Sequence, residues 1–388
     1  MQWNRWATLW LSAGFFWFVL AISFAPSNKV YQQGLVALLW LPTLLMAWPM
    51  RGSLIVFWEQ QRLLCVSLLA WAGWALLSLV WTSAQEPLRE AKRVLYIGLF
   101  MLFFPIWFNR AGQQAARWMR WAGIGMGAAA VISILMFYGL EGHPWVDRLD
   151  GLGELSHPIL GAYAVGAMLI LMLHCAPEGA GRRGIWALAL LALLAFVALG
   201  QSRGALLATL LTLLAMPVWR AGPKARWLSF AAAVIGLLGF LAAQKLMLSR
   251  GVSYRPEIFQ VALEMIEQRP WAGLGLGGFY QIPASGLVFD HSHNLLTHIA
   301  IELGLPGLAL WLMVWLSTAR AAWRHRETIF GQAVLGIWLF STVAMQFDAA
   351  SISGTPRAEW FITWLPVGLA CGLACIKAPH AACDKLRR

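Results

Sequence analysis

The chain has 388 residues, 60% of them hydrophobic and 12% charged, with 24 tryptophans and a formal net charge of +12. A mean hydropathy of +0.65 excludes a soluble domain and points to a polytopic membrane protein. Basic residues in such a chain report topology first, so no nucleic-acid partner is expected.

Apolar runs predict about twelve transmembrane helices, at 6–25, 34–50, 63–80, 94–108, 121–140, 158–174, 185–199, 205–219, 227–246, 305–323, 329–347 and 358–376. The expected fold is all-α, a single membrane domain over residues 1–388 with no internal repeat or appended soluble domain. The first run lacks a small-residue cleavage site and reads as a retained helix. An inside N-terminus gathers Arg51, Arg62, Arg110, Arg117, Arg120, Arg182, Arg183, Arg220, Lys224, Arg226, Arg320, Arg324, Arg326 and the tail 377–388 on one side, which is then cytoplasmic. Both termini are expected inside, with segments 82–93, 141–157, 201–204, 247–294 and 347–357 outside. Cys65, Cys175, Cys371, Cys375 and Cys383 fall within or at the cytoplasmic ends of helices, and no disulfide framework is implied. Cys371 and Cys375, one turn apart in an apolar run, suit packing better than metal capture.

Along the outer face, the first basic set is Arg89, Lys92 and Arg93. It violates the positive-inside trend and so signals anion binding, although Glu86 and Glu90 beside it allow plain salt bridges. The acids Glu141, Asp147, Asp150 and Glu154 read as a solvated loop, and His157, before Pro158, as a helix-entry residue. Arg203 lies in Gln201-Ser202-Arg203-Gly204, between apolar runs of about 15 residues, or roughly 22 Å each. That connection should lie in a recess where an arginine meets an anion, lines a wet cavity or snorkels to lipid phosphate. Arginine forks match phosphate oxygens bidentately.

A large outer loop or cap is expected over residues 247–304, carrying Arg250, Arg255 and an amphipathic helix at 256–268. Gly273, Gly275, Gly277 and Gly278 read as tight turns rather than a phosphate cradle. Next comes Phe289-Asp290-His291-Ser292-His293-Asn294-Leu295-Leu296-Thr297-His298, with three of the chain's eight histidines. Pro306 predicts a spanning helix beginning near Leu305, with His293 on a short outer helix before it. From residue chemistry alone this cluster supports catalysis, a structural role or metal binding; no HExxH spacing or evident carboxylate ligand set accompanies it.

His293-Asn294, nine residues, then Gly304-Leu305-Pro306-Gly307 resembles the His-[Asn/Ser/Gln]-x9-Gly-x-x-[Gly/Thr/Tyr] pattern of the O-antigen ligases (WaaL), within the O-antigen ligase and polymerase (Wzy) superfamily. The Gln201–Ala205 junction, Arg255 and the run 270–278 add to the resemblance, which covers roughly residues 150–320 in detail. It implies a periplasmic active site in a bacterial inner membrane. The implied reaction moves a glycan from an undecaprenyl-pyrophosphate-linked O-antigen to the lipid A-core oligosaccharide, without metal, nucleotide sugar or other cofactor. His293 would be the general base and Arg203 and Arg255 would bind pyrophosphate, with Arg89, Lys92 and Arg93 contributing; the anomeric centre would invert. An O-antigen polymerase or a protein oligosaccharyltransferase would share the donor residues, and a transporter of anionic lipid would bind without reacting.

Overall fold

The computed structural model describes residues 2–249, 254–349 and 351–376. Among these, eight helices are long and apolar enough to cross a membrane: Arg5–Phe24, Asn28–Ala47, Arg62–Val80, Pro87–Ala111, Gln114–Leu140, Ala180–Leu199, Pro223–Ala242 and Leu295–Arg324. Four apolar helices are shorter: Pro158–His174, Arg203–Val218, Ile329–Ala344 and Trp364–Cys375. Each apolar run of the sequence falls on one of these helices. Ile329–Ala344 and Trp364–Cys375 fall short of the runs at 329–347 and 358–376, whereas several other helices extend beyond their runs because polar residues at their ends remain helical. Thus Arg89, Lys92 and Arg93 lie in the first turns of Pro87–Ala111, and Ala180–Leu199 has 20 residues rather than about 15. The pair of short helices expected around Arg203 is therefore one full-length helix and one short one.

Helices in lipid gain little from hydrophobic burial against one another, so close packing decides their arrangement. Pro158–His174 is buried along nearly its whole length, between Ile329–Ala344, Ala180–Leu199 and Gln114–Ile134. Pro87–Ala111 supplies an aromatic core in which Trp107 stacks on Phe15 with ring centroids 4.6 Å apart, and Phe100 meets Trp360 at 5.1 Å. Pro223–Ala242 instead exposes Trp227, Phe230, Leu237 and Leu241, a face suited to acyl chains. Cys65, Cys175, Cys371 and Cys375 are buried free thiols, and the Cys375 thiol packs 3.3 Å from the Ser53 carbonyl. Cys383, Arg250 and the basic tail lie outside the described residues.

The helix Leu295–Arg324 is broken at Gly304, whose φ of 67° and ψ of −179° leave the helical region. The glycine-rich segment before the histidines docks there: Leu305 N donates to Pro270 O (2.7 Å), Leu274 N to Ile301 O (2.9 Å) and Gly275 N to Glu302 O (2.8 Å). A Cβ at Gly304 would stand 2.9 Å from the Pro270 carbonyl as well as strain a positive φ, so only glycine fits. The break expected at Leu305 is found one residue earlier. The helix before it, however, starts at Leu295, so His293 precedes that short helix instead of riding on it.

Over this end folds a cap of the helix Arg255–Gln268 and an antiparallel hairpin, Ile282–Ala284 with Leu287–Phe289. Ile258, Ala262, Tyr280 and Ile282 pack on Ile301 as a separate small core. The sequence reading placed the helix; three-residue strands are too short for alternation to reveal.

Candidate active site at one end of the bundle

The histidine segment is fixed to the far end of the chain by Asn294. Its side-chain oxygen caps the helix by accepting from Leu296 N (2.9 Å) and Thr297 N (3.2 Å), and its amide nitrogen donates to Gln346 Oε1 (3.0 Å). Leu295 N donates to Met345 O (3.0 Å), so the chain leaving Ile329–Ala344 lies alongside the histidines. His293 sits at φ 51°, a left-handed conformation costing a non-glycine residue about 1–2 kcal/mol. These bonds hold it there.

The neighbour this creates is Asp348, 5% exposed, whose Oδ1 lies 3.2 Å from Nδ1 of His293 and 3.2 Å from Nε2 of His291. Nδ1 of His291 lies 2.7 Å from Asp290 Oδ1. A carboxylate only accepts hydrogen bonds, so each imidazole donates an N–H to Asp348. His291, with a carboxylate at each nitrogen, is held as a cation. Burial disfavours that charge, but the bonds to Asp348 and Asp290 outweigh burial and raise its pKa. Burial likewise pushes Asp348 up, and the bonds from His291 and His293 more than reverse this, holding it well below the usual carboxylate range. In His293 the Asp348 bond puts the proton on Nδ1. Its Nε2 makes no hydrogen bond among the described residues and is the nitrogen that carries the lone pair when the ring is neutral.

The third histidine is enclosed. His298, 3% exposed, has Nδ1 2.7 Å from the Tyr280 hydroxyl and Nε2 3.4 Å from Oε2 of buried Glu302. Of the three, His293 offers the available base nitrogen. Local spacing does not mark Asp348, whose contact with His293 crosses 55 positions and which adds to the cluster a carboxylate that the sequence does not make evident. Donor atoms of His291, His293 and Asp348 lie within 4.8 Å of one another, a spacing that also suits a divalent cation.

One of the expected arginines meets this cluster through the backbone, and the residue after another packs beside it. Arg255, in the first turn of the cap helix, donates from Nε to the carbonyl of Phe347, the residue before Asp348 (3.1 Å). The Gln201–Gly204 junction packs on the same residue: a Cβ at Gly204 would stand 2.9 Å from Phe347 Cβ and on top of the Tyr163 hydroxyl. Arg203 follows the N-cap Ser202, is exposed, and opens its helix where the backbone dipole adds positive potential. Arg148 donates to Gly200 O (3.2 Å) at this junction, a further cation from the acidic loop 141–157 that its sequence context does not mark. His157 caps its helix by accepting from Leu160 N (3.3 Å), as a helix-entry residue should.

Arg89, Lys92 and Arg93 are placed elsewhere at this end. With Lys29 they line a separate cavity of about 810 Å³. Arg89 pairs with Glu86 at 3.4 Å and Arg93 with buried Glu90, so the salt bridges seen as an alternative do form.

The described residues thus form a largely helical protein with eight helices long and apolar enough to cross a membrane, and an oriented imidazole with arginines near it at one bundle end. The sequence family described as O-antigen ligase matches residues 187–312, a window that includes Arg203, Arg255 and His293 and ends before Asp348. An O-antigen ligase of Pseudomonas aeruginosa is 30% identical over 322 residues, covering 79% of this chain and 76% of that protein. The chain belongs to the O-antigen ligase family.

Proposed function

We propose that the protein transfers a polysaccharide from undecaprenyl pyrophosphate to the lipid A-core oligosaccharide at the periplasmic face of the inner membrane, with both chain termini in the cytoplasm. The observation that carries this reading is the His293–Asp348 pair beside the Phe347 carbonyl that anchors Arg255. Nε2 of His293 takes the proton of an acceptor hydroxyl as that oxygen attacks the anomeric carbon. The bond from that carbon to the pyrophosphate oxygen breaks, and its electron pair leaves with undecaprenyl pyrophosphate. Arg203 and Arg255 bind the growing phosphate charge through their forks, and the imidazolium is stabilised by Asp348 before releasing its proton to solvent. A leaving group of this acidity needs no protonation, and a single displacement inverts the anomeric centre. No step draws on a metal or other cofactor.

Purified protein, reconstituted with undecaprenyl-pyrophosphate glycan and lipid A-core, tests this directly. Glycan joined to lipid A-core is the expected product. Longer lipid-linked chains would make the protein a polymerase, and passage of lipid without new glycosidic bonds would make it a transporter.

A further inference from the structure

The cavity lined by Lys29, Arg89, Lys92 and Arg93 has a composition that the transfer chemistry leaves unused. Glu86 is the one acid on its wall, against four cations. Among the described residues neither Lys29 nor Lys92 has a carboxylate within ion-pair distance. Two helices start at this cavity, at Asn28 and Pro87, and the positive ends of their dipoles add to the potential there. The side-chain amides of Asn28, Gln32 and Gln33 and the ring of Tyr96, stacked on Trp40 at 4.0 Å, complete a wall suited to a phosphate attached to a sugar. Its 810 Å³ lies in the range of sites that hold a small ligand or a headgroup.

Its position says which substrate it fits. None of Arg203, Arg255, His293 and Asp348 lines it. Thr355 and Pro356 do, and Asn28 Nδ2 donates to Pro356 O (3.0 Å), so the chain that carries Asp348 reaches the cavity rim seven residues later. Seven residues span at most about 25 Å. A donor whose pyrophosphate is bonded to the reacting carbon must place that phosphate beside His293. An acceptor glycolipid has its phosphates near its lipid anchor and its reacting hydroxyl farther along the saccharide, and so needs an anionic grip at a distance.

We infer that this cavity is a second phosphate subsite, binding the phosphate groups of the acceptor glycolipid near its anchor while its saccharide reaches His293. The inference rests on the glycan-transfer reading, but its test is independent of turnover. Lys29 and Lys92 are exposed, and Lys29→Gln/Lys92→Gln removes two charges without emptying a core position. Native mass spectrometry of the full-length protein is run against four probes: lipid A-core, the same lipid after phosphatase treatment, undecaprenyl pyrophosphate and phosphatidylglycerol. Wild type should retain phosphorylated over dephosphorylated lipid A-core at least about tenfold, the worth of one or two charge-assisted contacts. The double variant should lose that preference and keep undecaprenyl pyrophosphate unchanged. Loss of undecaprenyl pyrophosphate instead would assign the cavity to the donor, and equal loss of phosphatidylglycerol would make it a bulk lipid contact. Either result, or an unchanged preference in the variant, overturns the inference. His293→Ala should retain wild-type binding in all four arms, so failure here and failure of the base assignment are separable.

Discussion

Nδ1 of His293 lies 3.2 Å from Oδ1 of Asp348, and that one contact fixes which ring nitrogen of the proposed base holds a proton. Asp348→Asn keeps the shape but lets an amide NH₂ face the ring, which selects the wrong tautomer and removes the charge that stabilises the imidazolium. Ligation should slow by roughly 10²-fold or more, mainly in kcat, because the acceptor is still bound. Steady-state kinetics with both substrates varied reads this. A defect confined to KM would mean that Asp348 binds substrate instead.

The His291 cation gives the site a pH signature. Its pKa is raised in the folded protein, so its stabilising contribution is fully present below the unfolded value of about 6.5 and is lost as pH rises through the raised folded value. Asp348, held low, contributes above its unfolded value of about 3.9, and this contribution is lost as pH falls through its depressed one. Both contributions are therefore present together between about pH 4 and 6.5. The melting temperature of wild type should exceed that of His291→Gln by several degrees at pH 6 and by less at pH 9, measured in detergent. A gap that widens at high pH would reverse the assignment of charge.

Arg203→Lys retains charge at the start of its helix and loses the fork. If the pyrophosphate is gripped bidentately, kcat/KM for the lipid-linked donor should fall about 10- to 100-fold, the equivalent of one or two charge-assisted hydrogen bonds. Wild-type turnover of the lysine variant would leave only a point charge at this position.

Ligation should persist undiminished in excess EDTA, since the proposed base is an imidazole oriented by a carboxylate. The same two histidines and Asp348 are spaced to hold a cation. Loss of activity on chelation that returns with added divalent ion would transfer the role from base to metal ligand.

Much of this site is legible in the sequence, for a physical reason. A polar residue between apolar runs costs free energy unless it has a task, so Arg203, Arg255 and the histidines stand out against an apolar background. Hydropathy marks membrane-embedded stretches better than helix ends, which is why the helices outrun their apolar runs at Pro87, Ala180 and Leu295. What local spacing cannot carry is a contact made by folding. Asp348 reaches His293 across 55 positions, and only that contact divides a cationic His291 from a basic His293. Lys29 joins Arg89, Lys92 and Arg93 in the same way, through two helices that start at the same end of the bundle. The glycine-rich run, which its composition marks as tight turns, makes them: Gly273, Gly275 and Gly277 all have positive φ where the segment threads past Gly304.

The most direct test of the account is the initial rate of glycan ligation by His293→Ala in reconstituted membranes, with binding of the lipid-linked donor measured in parallel. The account predicts a fall of about 10²- to 10⁴-fold in kcat, the range for loss of a general base, with donor binding unchanged. Ligation at the wild-type rate would contradict it and remove His293 from the chemistry.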